Sequence, residues 1–173
     1  MAFAACLAAG LAAPSRAAAT DTECATGRTD ISSWPIVRSP RVPGLTLRLP
    51  RSFEREPDPG QQGASSSVPS ARWTDPSRGR LLISWGAMAA AASPEAGPGY
   101  TRCEEKVGSA VAVIVSYARR EASAPSAGGS PYRVQARLRW ADGEEAVVSG
   151  DAADPERFGE LLAAVRTIRR VGA

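Results

Sequence analysis

From Tyr132 to Trp140 apolar and polar residues alternate without a break. Tyr132, Val134, Ala136, Leu138 and Trp140 share one parity, and Arg133, Gln135, Arg137 and Arg139 share the other. Successive side chains of a strand point to opposite faces, so this pattern predicts a strand with one dry and one wet face. Upstream, Val107 to Arg120 runs through Ala110-Val111-Ala112-Val113-Ile114-Val115 with little polar relief before Arg119-Arg120. A strand apolar at both parities is one covered on both faces, which predicts the middle of a sheet. Downstream, Asp142-Gly143 is a strong hairpin signal leading into a third strand, Glu145 to Gly150. These three runs, within Tyr100 to Gly150, predict the spine of one antiparallel sheet.

Earlier in the chain, Leu45-Thr46-Leu47-Arg48-Leu49 alternates and stops at Pro50, a further strand, with Phe53 folding back onto the core. Arg72-Trp73-Thr74 predicts a short strand, turned by residues 75–79 into Arg80 to Trp85. Pro-, Gly- and Ser-rich stretches at 54–71, 86–99 and 122–131 predict loops. The last element is a helix. Asp154 stands at its cap, Pro155 at its first position and Glu156 where the dipole favours a carboxylate. Phe158, Leu161, Leu162, Val165 and Ile168 form one apolar stripe, which needs a partner surface that the strands offer. The expected fold class is therefore α+β: an antiparallel sheet of about five to six strands with a C-terminal amphipathic helix packed on one face.

The N-terminus adds an address. Residues 1–19 carry an apolar run, Pro14 and the ending Ala17-Ala18-Ala19, the features of a cleaved export signal, although no basic residue precedes the run. Residues 20–43 read as an extended lead-in in which Trp34-Pro35-Ile36-Val37 is the apolar knot, and 44–173 as a single domain. Export places the protein in the periplasm, the cell envelope or outside the cell. Of the three cysteines, Cys24 and Cys103 then survive cleavage in an oxidising compartment, where one intramolecular pairing is available to them. Such a disulfide closes a loop of about 80 residues, worth ~4 kcal/mol on the chain-entropy account. Cys6, after Phe3-Ala4-Ala5, has only a faint likeness to a lipoprotein box, because the residues after it stay apolar. No apolar run is long enough for a transmembrane span in the mature chain.

Composition narrows the chemistry. Histidine is absent, so Ser-His-Asp and Cys-His arrangements and imidazole metal ligands are excluded. The net charge of +3, with Arg interspersed among carboxylates, argues against nucleic acid as a partner. Glu104-Glu105-Lys106 sets two carboxylates beside the chain's lysine, but adjacent strand residues point to opposite faces, where an acid pair must oppose across a cleft. Asp142, Glu144, Glu145, Asp151 and Asp154 are close in sequence without calcium-loop spacing. Neither catalytic residues nor a cofactor or metal site is expected. The wet-face row Arg133, Arg137 and Arg139, with Arg119 and Arg120 on the neighbouring strand, is the candidate ligand face for an anion; cross-strand pairing with Glu144 or Glu145 is the structural alternative. Arg38, Arg41, Arg48, Arg51 and Arg55 form the most basic local stretch.

The order Leu47-Arg48-Leu49-Pro50, then Arg72-Trp73-Thr74-Asp75-Pro76 leading into Leu81-Leu82-Ile83-Ser84, then paired long strands, then Asp154-Pro155-Glu156-Arg157-Phe158 and a helix ending near Thr167-Ile168-Arg169 resembles the PsbP-like fold family. That family comprises extrinsic photosystem proteins, nuclear-transport accessory proteins and many exported bacterial proteins. The similarity spans Leu45 to Arg170 and lies in element order. It implies a non-catalytic binding or stabilising module, and it carries no functional residue onto a position here. The leading expectation is an exported binding or structural module that meets an envelope or extracellular protein. The alternatives are a carboxylate-dependent or Ser-Lys enzyme using Glu104, Glu105 or Lys106, and attachment to an anionic surface through Arg38 to Arg55.

Overall fold

The computed structural model describes residues 29–39, 42, 44–57, 69–76, 79–85, 100–118 and 130–171. In chain order the elements are β1 (Ile36–Arg38), β2 (Leu45–Arg48), β3 (Glu54–Arg55), β4 (Ser70–Asp75), β5 (Gly79–Trp85), β6 (Tyr100–Val107), β7 (Ala110–Ala118), β8 (Tyr132–Arg139), β9 (Glu145–Ala152), α1 (Pro155–Arg166) and β10 (Arg169–Arg170). Seven strands form one sheet in the order β3-β4-β5-β9-β8-β7-β6, and β1-β2-β10 form a second. Every pairing is antiparallel. The fold is α+β, with one helix among the described residues, C-terminal and packed against the large sheet. The expected signal at 1–19, Cys6, Cys24, Arg41 and Arg119-Arg120 lie outside the described residues.

The spine of β7, β8 and β9 is as the pattern predicts, but the middle of the sheet is elsewhere. β9 is the fourth of seven strands, and β7 is the sixth. The cause is Gly108, whose φ of 62° turns the chain between Val107 and Ala110. A two-residue Gly-Ser connection is a hairpin turn, so Val107 closes β6, and that strand, not β7, takes the outside position. The Asp142-Gly143 hairpin forms as expected. Gly143 has φ 84°, and its N–H donates to the Trp140 carbonyl at 3.0 Å.

Register assigns the faces of the large sheet. Trp73, Leu81, Ile83, Val148, Ala136, Leu138, Ile114 and Ala112 lie on one side and are all buried. Onto this side fold α1 and β2, bringing Leu161, Leu162 and Val165 from the helix and Leu45, Leu47 and Leu49 from the strand. Fully burying each such side chain contributes ~1.5–3 kcal/mol against leaving it in water. Trp34 is buried in the same core, and Phe53 packs partly buried against it.

The helix is placed by its ends. The Asp154 side chain accepts from the Arg157 N–H at 2.9 Å, so one of the orphan donors of the first turn is satisfied, and Pro155 needs none. At the other end, the Thr167 hydroxyl accepts from the Arg48 N–H at 2.8 Å and donates to the Ala164 carbonyl at 2.7 Å, tying the helix terminus to β2. The chain beyond is not more helix: Ile168 is fully buried, and Arg169 and Arg170 pair with Thr46 and Leu45 as β10. Arg170 lies over Trp85 and Trp140, 5.4 and 5.9 Å from their rings, and forms an ion pair with Asp142. This hydrogen bond with Arg170, aided by the Glu144 N–H, holds the Asp142 carboxyl below the usual carboxylate range.

Candidate functional site

The other side of the large sheet carries the candidate ligand face. Its rows follow from the register. Lys106, Val111, Arg139 and Glu145 lie across one, and Glu104, Val113, Arg137 and Val147 across the next. Arg102, Val115, Gln135, Ser149, Leu82 and Arg72 make a third, and Tyr117, Arg133, Asp151 and Arg80 a fourth. Val111 is 51% exposed, and Val113, Val115, Tyr117 and Leu82 are half-buried. Val147 is 6% exposed yet stands apart from the main core cluster.

The cations of this face divide into two groups. Arg139 meets Glu145 at 2.6 Å, as the cross-strand alternative required, while Arg80 meets Asp151 at 2.9 Å and Arg72 meets Glu56 at 3.1 Å. Arg102, Lys106, Arg133 and Arg137 have no ion-pair partner among the described residues. The geometry explains why. Arg133 lies directly opposite Asp151, but that carboxylate is taken by Arg80 from the other neighbouring strand. Arg137 faces Val113 on one side and Val147 on the other, so no carboxylate is across from it. Of the candidate trio, Arg133 and Arg137 are thus available to an anion, and Arg139 is engaged. Arg102, which the sequence pattern did not mark, and Lys106, marked there only as a candidate for enzyme chemistry, join them from β6. The apolar stripe and these cations, unpaired among the described residues, together form a surface that offers dispersion contact in the middle and charge-assisted hydrogen bonds around it.

The remaining candidates disperse. Glu104 and Lys106 are exposed on this outer face, whereas Glu105 points to the helix side and is held by Arg166. They do not converge on a common point, as an acid pair must. Asp142, Glu145, Asp151 and Asp154 are engaged by Arg170, Arg139, Arg80 and the α1 N-terminus in turn. Among the described residues no three Cys, Asp or Glu side chains are gathered as a metal would need. The basic stretch is divided between sheets: Arg38 lies on β1, Arg48 on β2 and Arg55 on β3, and Arg48 donates to the Trp34 carbonyl at 2.8 Å. Cys103 is half-buried on the helix side of β6. Among the described residues no helix is long and apolar enough to cross a membrane.

No protein-family model matches this chain, and no curated protein matches it.

Proposed function

We propose that the protein is an exported, non-catalytic binding module of the PsbP-like kind, which uses the outer face of its large sheet to hold an acidic envelope or extracellular protein. The observation that carries this reading is the half-exposed Val111-Val113-Val115 stripe bordered by Arg102, Lys106, Arg133 and Arg137, four cations without carboxylate partners among the described residues. Unneutralised charge around an apolar strip is complementary to a partner that brings carboxylates and its own apolar contact. Guanidinium groups at Arg133 and Arg137 favour planar, two-point recognition of carboxylate. Support for export comes from residues 1–19, and support for a non-catalytic role from the absence of histidine and the dispersal of Glu104, Glu105 and Lys106. In the mature protein Cys103 pairs with Cys24, fixing the lead-in to β6.

A photo-crosslinking side chain at Val113, used in cells that make the protein, tests the reading. A discrete acidic protein is expected to be captured from Val113 and lost in the Arg133→Glu/Arg137→Glu variant. The same label at Glu156, on the helix, should not capture it. Equal capture from both positions would refute the reading. Binding of the purified protein to acidic lipid vesicles, with no protein captured at Val113, would favour attachment to an anionic surface instead.

A further inference from the structure

We infer that β6 is a self-association edge, on which a second copy of this chain adds its own β6 antiparallel, with the twofold axis at Cys103. β6 spans eight residues from Tyr100 to Val107, and its pairing with β7 is unbroken from end to end, with no bulge and no proline. Its other margin pairs with no strand among the described residues. A long, regular edge presents a row of unpaired N–H and C=O groups, the template for strand addition.

The side chains choose the occupant and the register. On the outer face β6 presents Arg102, Glu104 and Lys106, all exposed, in the sign order plus, minus, plus. When two sheets join around a twofold axis normal to them, residues of like parity come opposite one another. With the axis at Cys103, Arg102 of each copy faces Glu104 of the other. Two opposite-charge pairs form, and no like-charge pair arises. With the axis at Glu104, Glu104 meets its own image and Arg102 meets Lys106, so every outer-face pair is repulsive. With the axis at Glu105, Lys106 meets Glu104, but Glu105 meets its own image and the strands overlap over fewer residues. The Cys103 axis therefore gives the longest complementary overlap, from residue 100 to residue 106. It also sets the two outer faces side by side on the same surface of one continuous sheet.

Sedimentation equilibrium of the mature protein tests this. A monomer–dimer equilibrium is expected, since one strand pair buries less than a permanent interface does. The protein is followed to about 1 mM, where even a millimolar association is half formed. Arg102→Glu and Glu104→Arg, each of which sets like charges opposite one another, should each weaken the dimer at least tenfold and leave the circular dichroism unchanged. The double variant Arg102→Glu/Glu104→Arg restores both pairs with signs exchanged and should recover the dimer. Wild type that stays monomeric to that concentration would overturn the inference. So would single variants that dimerise undiminished, or a double variant no better than either single one. The Arg133→Glu/Arg137→Glu variant should dimerise normally, so the outer-face reading and this one fail independently.

Discussion

Arg166, in the last turn of α1, and Glu105, on β6, meet in a two-point fork: Nε lies 2.8 Å from Oε1 and Nη2 lies 3.3 Å from Oε2. Each side chain is 25% exposed. The contact bridges the helix and the outermost strand of the large sheet. The helix C-terminus favours a cation at this position, so the dipole and the ion pair act in the same direction. Removing either partner leaves the other charge half-desolvated. Glu105→Gln and Arg166→Ala are each expected to cost about 1–2 kcal/mol, with a coupling of about 1 kcal/mol between them. Urea unfolding of the two single variants and the double variant measures both, and strict additivity would show that the fork does not hold the helix.

The cover over the sheet depends on a few helix side chains. Leu161 is 1% exposed, against the face of β8 and β9. Leu161→Ala leaves a cavity between two rigid layers and should cost about 2–5 kcal/mol. Glu156→Ala, on the exposed side of the first turn, should stay within about 1 kcal/mol. Thermal unfolding distinguishes them.

Gly79 begins β5 where β9 passes close by. A Cβ there would lie 2.5 Å from the Asp151 carbonyl oxygen, a backbone atom that cannot move alone. Gly79→Ala should therefore destabilise by about 1–3 kcal/mol through displaced strands. Amide exchange should quicken in β4 and β5 and stay unchanged in β6 and β7.

Asp142 titrates below the ordinary carboxylate range because Arg170 holds its ionised form. A carboxyl whose folded-state pKa is depressed contributes stability that is present above its unfolded pKa and lost as pH falls through the folded one. Asp142→Asn should therefore lower the unfolding temperature at neutral pH. It should also flatten the decline between about pH 5 and pH 2, so that the two curves converge at the acid end. Curves that stay parallel throughout would remove Asp142 as a source of acid sensitivity.

On the outer face, Arg133→Gln/Arg137→Gln breaks no ion pair among the described residues and sets no carboxylate against Asp151, so it should leave the stability within about 1 kcal/mol. Arg139→Glu, which sets a carboxylate against Glu145, should be the more destabilising single change. Chemical denaturation of the two proteins decides.

The alternation at Tyr132 to Trp140, the Asp142-Gly143 turn and the capped stripe from Asp154 to Ile168 were readable because each is a local signal with one interpretation. Gly108-Ser109 was local too, but the long apolar run on its far side hid it, and with it the placement of β6. β1, β3 and β10 span only two or three residues, too short to show any period. They exist because β2 and β4 offer them an edge. The candidate face was legible in part. The parity of Arg133, Arg137 and Arg139 located it, whereas knowing which arginines are engaged required the register, since Asp151 and Glu145 choose between neighbours on different strands. Arg102 and Lys106 could have been found by carrying the face across the two-residue Gly108-Ser109 turn, which exchanges odd positions on β7 for even ones on β6.

The two margins of the large sheet are unlike. At one end β3 is two residues long and is followed by Pro57, while at the other β6 runs for eight. A proline lacks the N–H a pairing neighbour would need, and so short a border offers little purchase. Among the described strands, growth by accretion can thus proceed at the β6 margin, and the first arrival exhausts it. A chain built this way can take one neighbour at its border without becoming the seed of an endless ribbon.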